Sequence, residues 1–220
     1  MGHRADWFRD ARWGVFFHYL AAPASSPDAP SMSVEEWNRR IDGIDVDEEP
    51  GRAKLDKIAK LRPAFQKDGT ITAANASKLN DGAAALVLSS AKGAAGRKPL
   101  ARIAGWATHS QEPKWFTTAP VGAVERLLKK TGWTKESVDL FEVNEAFAVV
   151  TLAVAKLAGL PHEKINVHGG AVALGHPLGA SGARILVTLI NALKVRGGKK
   201  GVAAICLGGG EAVAVAVELV

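Results

Sequence analysis

The sequence has a single cysteine, Cys206, which excludes an intramolecular disulfide and any multi-cysteine zinc site. No metal site is expected. No uninterrupted apolar run reaches the ~18 residues of a membrane helix, so no membrane partner is expected either. The N-terminal apolar residues are broken by Asp6, Arg9, Asp10 and Arg12, unlike a signal peptide. These absences point to the cytoplasm. The formal charge of +6 is modest. It fits a solvated surface or attraction to an anionic ligand. The basic residues are scattered singly and no aromatic–basic array stands out, so nucleic acid is not an expected partner. The glycine loop at His168–Arg184 lacks the Gly-Lys-Ser/Thr of a P-loop and the G-x-G opening of a dinucleotide fingerprint.

What is present centres on His168 to Arg184, HGGAVALGHPLGASGAR, and on Cys206 to Glu211, CLGGGE. The first stretch passes from a glycine pair through His176-Pro177 into Gly179 to Gly182, then into an apolar helix, Ala183 to Leu193. A helix opening near Ser181 aims free N–H groups back at the loop, which favours an anion or a developing oxyanion. In the second stretch, Cys206 ends the apolar run Gly201–Ile205, three glycines follow, and the alternating segment Ala212–Val220 returns. This predicts a hairpin with Cys206 at its mouth.

At 220 residues, 47% hydrophobic and 23% charged, the chain suits a globular protein of one full core, or one and a half domains. Residues 1–45 are aromatic-dense at first, then rich in Pro, Ser and Ala over Ala21–Ser33, with a short helix expected at Val34–Arg40. Asp47 to Pro50 reads as an acidic loop, and Lys54 to Lys60 as a short basic helix. Lys67–Thr70 is a turn and Ile71–Ala73 strand-like; Asn75–Ser77 and Asn80–Gly82 are polar loops. Ala83–Ser89 could be a strand or the start of a helix, since periodicity does not separate them. Ala91–Lys98 reads as a linker. Strands are expected at Leu100–Trp106, Val138–Val143 and Lys164–Val167. Helices are expected at Pro120–Lys130, stopped by Gly132, and at Ala146–Leu157, stopped by Gly159. Helices alternating with strands before a final hairpin predict a layered sheet with one antiparallel edge.

Two resemblances enter through these residues. The WFRDARWG stretch at Trp7–Gly14 resembles the N-terminal edge of family 29 α-L-fucosidase-like glycosidases, which makes residues 1–45 a glycosidase-like fragment. It supplies neither the eight βα units of a barrel nor a carboxylate pair for sugar chemistry. Val46 to Val220 resembles the C-terminal half of the thiolases, in particular acetyl-CoA acetyltransferases. The carrying motifs, in family order, are Asp68-Gly69-Thr70, Asn75-Ala76-Ser77, Asn80-Asp81-Gly82, Asn144-Glu145-Ala146-Phe147-Ala148, Gly169 through Gly175-His176-Pro177 to Arg184, and Cys206-Leu207-Gly208-Gly209-Gly210.

This resemblance implies an α/β, thiolase-like layered α-β-α fold, with a mixed sheet in the C-terminal domain and the N-terminal thiolase half missing. Residues 46–98 would be the tail of the thiolase N-terminal domain and 99–220 the C-terminal domain. The implied activity is acetyl-CoA C-acetyltransferase chemistry, the Claisen condensation or thiolysis of a 3-ketoacyl-CoA. It needs no cofactor, because coenzyme A enters as the substrate's thioester. Cys206 matches the family's acid/base cysteine, a role served by a thiol pKa lowered by a helix end or a histidine. His176 matches the histidine that activates the acylated cysteine and binds a thioester oxygen. Asn144 matches the asparagine that holds a water in that oxyanion hole, and Gly208 the glycine whose N–H serves a second hole. Ser77 matches the serine that meets the pantetheine arm of coenzyme A.

The family's acyl-accepting cysteine belongs to the N-terminal half, and this chain's one cysteine lies elsewhere. The expectation is therefore an acyltransferase by family with negligible turnover alone. The alternatives are a non-catalytic coenzyme A-binding or partner subunit, or a truncated fusion product. The helices Ala146–Leu157 and Ala183–Leu193 would lose apolar cover, which predicts a homo-oligomer or a partner thiolase chain.

Overall fold

A computed structural model describes residues 58–220. The expectations at Val34–Arg40 and Asp47–Pro50, and the first part of the Lys54–Lys60 helix, lie outside the described residues. Up to residue 100 the described chain is mainly turns and extended loop. The Lys67–Thr70 turn forms, with the Gly69 N–H donating to Gln66 O at 2.9 Å. Ile71–Ala73 leads into a turn rather than a strand, because the Asn75 side chain accepts the Thr72 N–H at 2.7 Å and draws the chain round. Ala83–Ser89 is neither regular strand nor helix.

From Ala101 the elements follow closely. They are β1 (Ala101–Ser110), a 3-10 helix (Pro113–Thr118), α1 (Ala119–Thr131), β2 (Leu140–Val143), α2 (Ala148–Ala158), a second 3-10 helix (His162–Lys164), α3 (Ala171–Leu174), α4 (Ser181–Arg196), β3 (Lys200–Leu207) and β4 (Glu211–Leu219). The three longer helices each stop at a left-handed glycine: Gly132, Gly159 and Gly197. The described strands form one sheet in the order β1-β4-β3-β2. β4 is antiparallel to both β1 and β3, whereas β2 and β3 are parallel. The sheet is mixed, as expected. The hairpin partner β4 is not at the edge, however: β1 covers its outer side.

Alternation along the strands sorts side chains into two layers. Val202, Ala204 and Cys206 of β3, with Phe141 and Val143 of β2, face the α1 and α2 side. Ala203 and Ile205, with Leu140, face α4, where Ile185, Leu189, Ile190 and Leu193 pack. All four β2 residues are buried, so the run reads as continuous rather than alternating. α4 lies close on β3 because Gly201 has no side chain; a Cβ there would meet Leu189 and Leu193 at 2.8–2.9 Å. The layered α-β-α expectation therefore stands.

The expected strand Lys164–Val167 reduces to single bridges, Phe141 with Ile165 and Val167 with Gly169. The cause is Asn166, which turns to φ +48°. Its side chain then takes the strand's place, accepting the Val143 N–H and donating to Val143 O, each at 2.8 Å.

Leu189 is fully buried between α4 and the sheet. Leu189→Ala should cost about 2–5 kcal/mol of unfolding free energy. Urea denaturation checks this, and a loss below about 1 kcal/mol would contradict the packing described.

Candidate active site

The parallel strands β2 and β3 run out of the sheet side by side, and their ends carry two of the expected residues. Asn144 follows β2 directly; its N–H donates to Ala204 O at 2.9 Å, and its side chain is fully buried. Cys206 lies two residues beyond Ala204 on β3. α4 starts at the same end of the sheet, with the Gly175–Ala180 loop before it.

His176 is brought to Asn144. Asn144 Nδ2 lies 3.3 Å from His176 Nε2, and His176 Nδ1 lies 2.6 Å from Ser181 Oγ. Ser181, in the first turn of α4, is fully buried and donates to Pro177 O at 3.1 Å. Burial holds the His176 pKa below the usual histidine value, and the Arg184 charge adds to that.

Residues 75–82 strap this loop down. Ser77 N–H and Oγ both donate to Ala146 O, at 3.1 and 2.8 Å. The His176 N–H donates to Lys78 O at 2.7 Å. Gly175, at φ +93°, leaves room for the Asn80 side chain, and Gly82 for the Pro177 ring. Ser77 therefore sits against the Asn144–Phe147 loop, with its hydroxyl proton engaged by the backbone.

Cys206 and Gly208 are at the hairpin mouth, as expected. Cys206 is buried, pairs across the hairpin with Ala212, and packs into the core on the α1–α2 side. Burial pushes its thiol pKa up. This corrects the expectation of a lowered thiol: among the described residues no histidine bonds its Sγ, and desolvation outweighs the backbone hydrogen bond that favours the thiolate. A Cβ built on Gly208 would meet nothing within 4 Å, so the space beside its backbone is open.

Three residues absent from the expected site complete it. Glu145 Oε2 accepts the Val172 N–H at 3.1 Å, and Glu145 Oε1 accepts from Asn166 Nδ2 at 3.1 Å. A Cβ at Gly170 would overlap the Glu145 carboxylate, so that glycine is there for space, whereas Gly169 is there for its left-handed φ of +81°. Arg184 reaches Glu142 and the Asn144 amide oxygen. The lone charge in the otherwise apolar β2 run, Glu142, was the readable signal for that contact.

Comparison with known proteins bears on this arrangement. The family pattern for the thiolase C-terminal domain matches residues 97–219, more than half of the chain. The chain belongs to the thiolase family. The thiolase N-terminal domain pattern matches residues 31–92. That match takes in residues 31–45, and the resemblance of residues 1–45 to fucosidase-like glycosidases finds no support. An acetyl-CoA acetyltransferase of Chromobacterium violaceum is 56% identical over 168 residues, covering 76% of this chain and 43% of that protein. The cytosolic acetyl-CoA acetyltransferase of Mus musculus is 52% identical over 180 residues, covering 80% and 45%. A human mitochondrial 3-ketoacyl-CoA thiolase solved in complex with CoA superposes with a TM-score of 0.74 at 44% identity, covering 77% of this chain and 43% of that one. The chain thus spans less than half the length of the thiolases it matches. Among its described residues no helix is long and apolar enough to cross a membrane.

The single cysteine makes the burial of Cys206 directly measurable. Ellman's reagent at pH 7.5 should react with the folded chain at least ~10-fold more slowly than with the urea-unfolded chain, because a buried, protonated thiol is a poor nucleophile. Equal rates would contradict the environment described.

Proposed function

We propose that residues 46–220 carry the C-terminal half of the machinery of an acetyl-CoA C-acetyltransferase, which makes or cleaves the carbon–carbon bond of a 3-ketoacyl-CoA. Residues 46–98 are the tail of the thiolase N-terminal domain and 99–220 its C-terminal domain. The observation that carries this reading is the Asn144–His176 pair, held at the strand ends beneath the strap that bears Ser77. The acetyltransferase relatives and the coenzyme A complex of the human thiolase support the substrate class.

In thiolysis, Cys206 gives its proton to the α-carbon released as the bond breaks. A thiol whose pKa is raised by burial begins that direction in the required protonated form. Asn144 faces the thioester oxygen through a bound water, His176 donates to it from Nε2 once it has taken the acyl-accepting thiol's proton, and Gly208 supplies an N–H in open space to the second oxygen. Ser77 meets the pantetheine arm. No cofactor takes part, since the substrate brings coenzyme A itself. With its one cysteine in the proton-transfer role, the chain leaves acyl transfer to a cysteine supplied from outside the sequence.

The same reading covers partners and place. α2 shows an apolar face to solvent, with Val149, Leu152 and Leu157 exposed, and Leu79 on the strap, Leu174 at the end of α3 and Leu178 on the His176 loop are exposed too. Such a surface suits a homo-oligomer or a partner thiolase chain. The cytosolic mouse relative supports the cytoplasm.

Mixed with acetoacetyl-CoA and coenzyme A, the purified chain should bind coenzyme A by calorimetry and leave the enolate absorbance unchanged. Turnover that disappears in Cys206→Ala would show that no outside nucleophile is needed. Absence of binding would remove the coenzyme A reading altogether. Sedimentation should show a dimer or larger species, and a sharp monomer peak without binding of a hydrophobic dye would count against association.

A further inference from the structure

The site rests on a charged pair that no family motif above assigns. Glu142 is 1% exposed, on the α4 face of β2. Its Oε1 accepts from Arg184 Nη1 at 3.1 Å. The other arm of the guanidinium, Nη2, donates to Asn144 Oδ1 at 3.3 Å, and Nη1 also lies 3.4 Å from Thr188 Oγ1. Arg184 Nε is buried with no partner among the described residues.

Donor and acceptor chemistry gives this network one direction. Arginine has only donors, so the Asn144 atom facing it must be the carbonyl oxygen. The Asn144 amide nitrogen is thereby turned toward His176, and it too can only donate. His176 Nε2 must therefore accept and carries no proton. Nδ1 must then hold the proton of the neutral ring and donate to Ser181 Oγ, whose own proton goes to Pro177 O. The chain of donation runs from Arg184 through Asn144, His176 and Ser181 to Pro177 O.

We propose that Arg184, anchored by Glu142, is a positioning residue that orients the Asn144 amide and thereby fixes His176 as the Nδ1–H tautomer, with the Nε2 lone pair held by that amide. In the acyltransferase reading, on which the role in catalysis rests, this keeps His176 Nε2 unprotonated, so that a thiol displacing the Asn144 amide from that lone pair can give it its proton. Lysine at 184 would keep the charge without the planar fork that reaches Glu142 and Asn144 together. The charged neighbours are Arg184 on α4, Glu142 on β2, Glu145 on the following loop, and Lys78 and Asp81 on the strap.

Histidine nitrogen NMR on the labelled chain tests this without requiring turnover. His176 in the unmodified chain should show a protonated Nδ1 and an unprotonated Nε2 at pH 8. Arg184→Met should convert that single tautomer into a mixture and move the His176 titration to higher pH. Glu142→Gln retains an acceptor for the guanidinium and should keep the tautomer. Since Arg184→Met alone leaves a buried carboxylate unpaired, the same measurement is made in the Glu142→Gln/Arg184→Met double variant, which buries no net charge. The proposal fails if the unmodified chain carries the Nε2–H tautomer, or if the tautomer survives loss of Arg184 in a folded variant. A correct tautomer in a chain that does not bind coenzyme A would sink the function and leave the positioning role standing.

Discussion

The structure depends most on a carboxylate buried where the sheet is otherwise apolar. Glu142 sits within the packed β2 strand beneath α4, and among the described residues its ion-pair partner is Arg184. Burial pushes its carboxyl up to about 7 against the pull of the guanidinium, so desolvation exceeds what the pair returns. An ion pair of this kind is weak evidence for stability, yet losing one partner costs about 3–5 kcal/mol because the other charge stays buried. α4 is therefore held at one register over β2. A turn's rotation of the helix would leave both charges unpaired.

That register is what assembles the site. The residues around His176 come from distant parts of the chain: the strap, the loop after β2, and the first turn of α4. Each supplies backbone or amide groups, and the binding of each locates the next. The strap grips Ala146 through Ser77 and His176 through Lys78 O, while α4 grips His176 through Ser181. Glycines at 82, 170 and 175 keep side chains out of these crossings. A site made this way owes its geometry to loops tied to one another by backbone hydrogen bonds and anchored on β2 and α4.

The parts legible in the sequence were those set by local periodicity or by motif. α1, α2 and α4 are legible within a few residues, α1 and α2 from an apolar run ended by Gly132 and Gly159, α4 from the apolar run after the glycine loop. The hairpin with Cys206 at its mouth was legible for the same reason. The placing of β4 between β1 and β3 was not, since strand order follows from packing and leaves no mark in local pattern. The Lys164–Val167 strand failed because Asn166 substitutes its side chain for backbone pairing, a choice made by the neighbouring Val143. The motifs brought Asn144 and His176 forward and contained Glu145 and Arg184 without a role, because their roles appear only when separate elements meet. The expected low thiol pKa at Cys206 failed because the same alternation that puts it on β3 points it into the core.

Protons bound at Glu142 and His176 act in opposite directions on the folded state. A carboxyl raised from its ordinary 4.5 to about 7 favours the folded state below that ordinary value, and the contribution is lost as pH rises through about 7. A histidine held below its ordinary 6.5 contributes above that value and loses its contribution as pH falls through the lowered one. Arg184 ties the two together, since its charge favours the ionised carboxylate and disfavours the imidazolium. Near neutral pH the guanidinium thus works toward one state, with Glu142 ionised and His176 neutral. That is the charge state in which the chain of donors from Arg184 to Pro177 is complete.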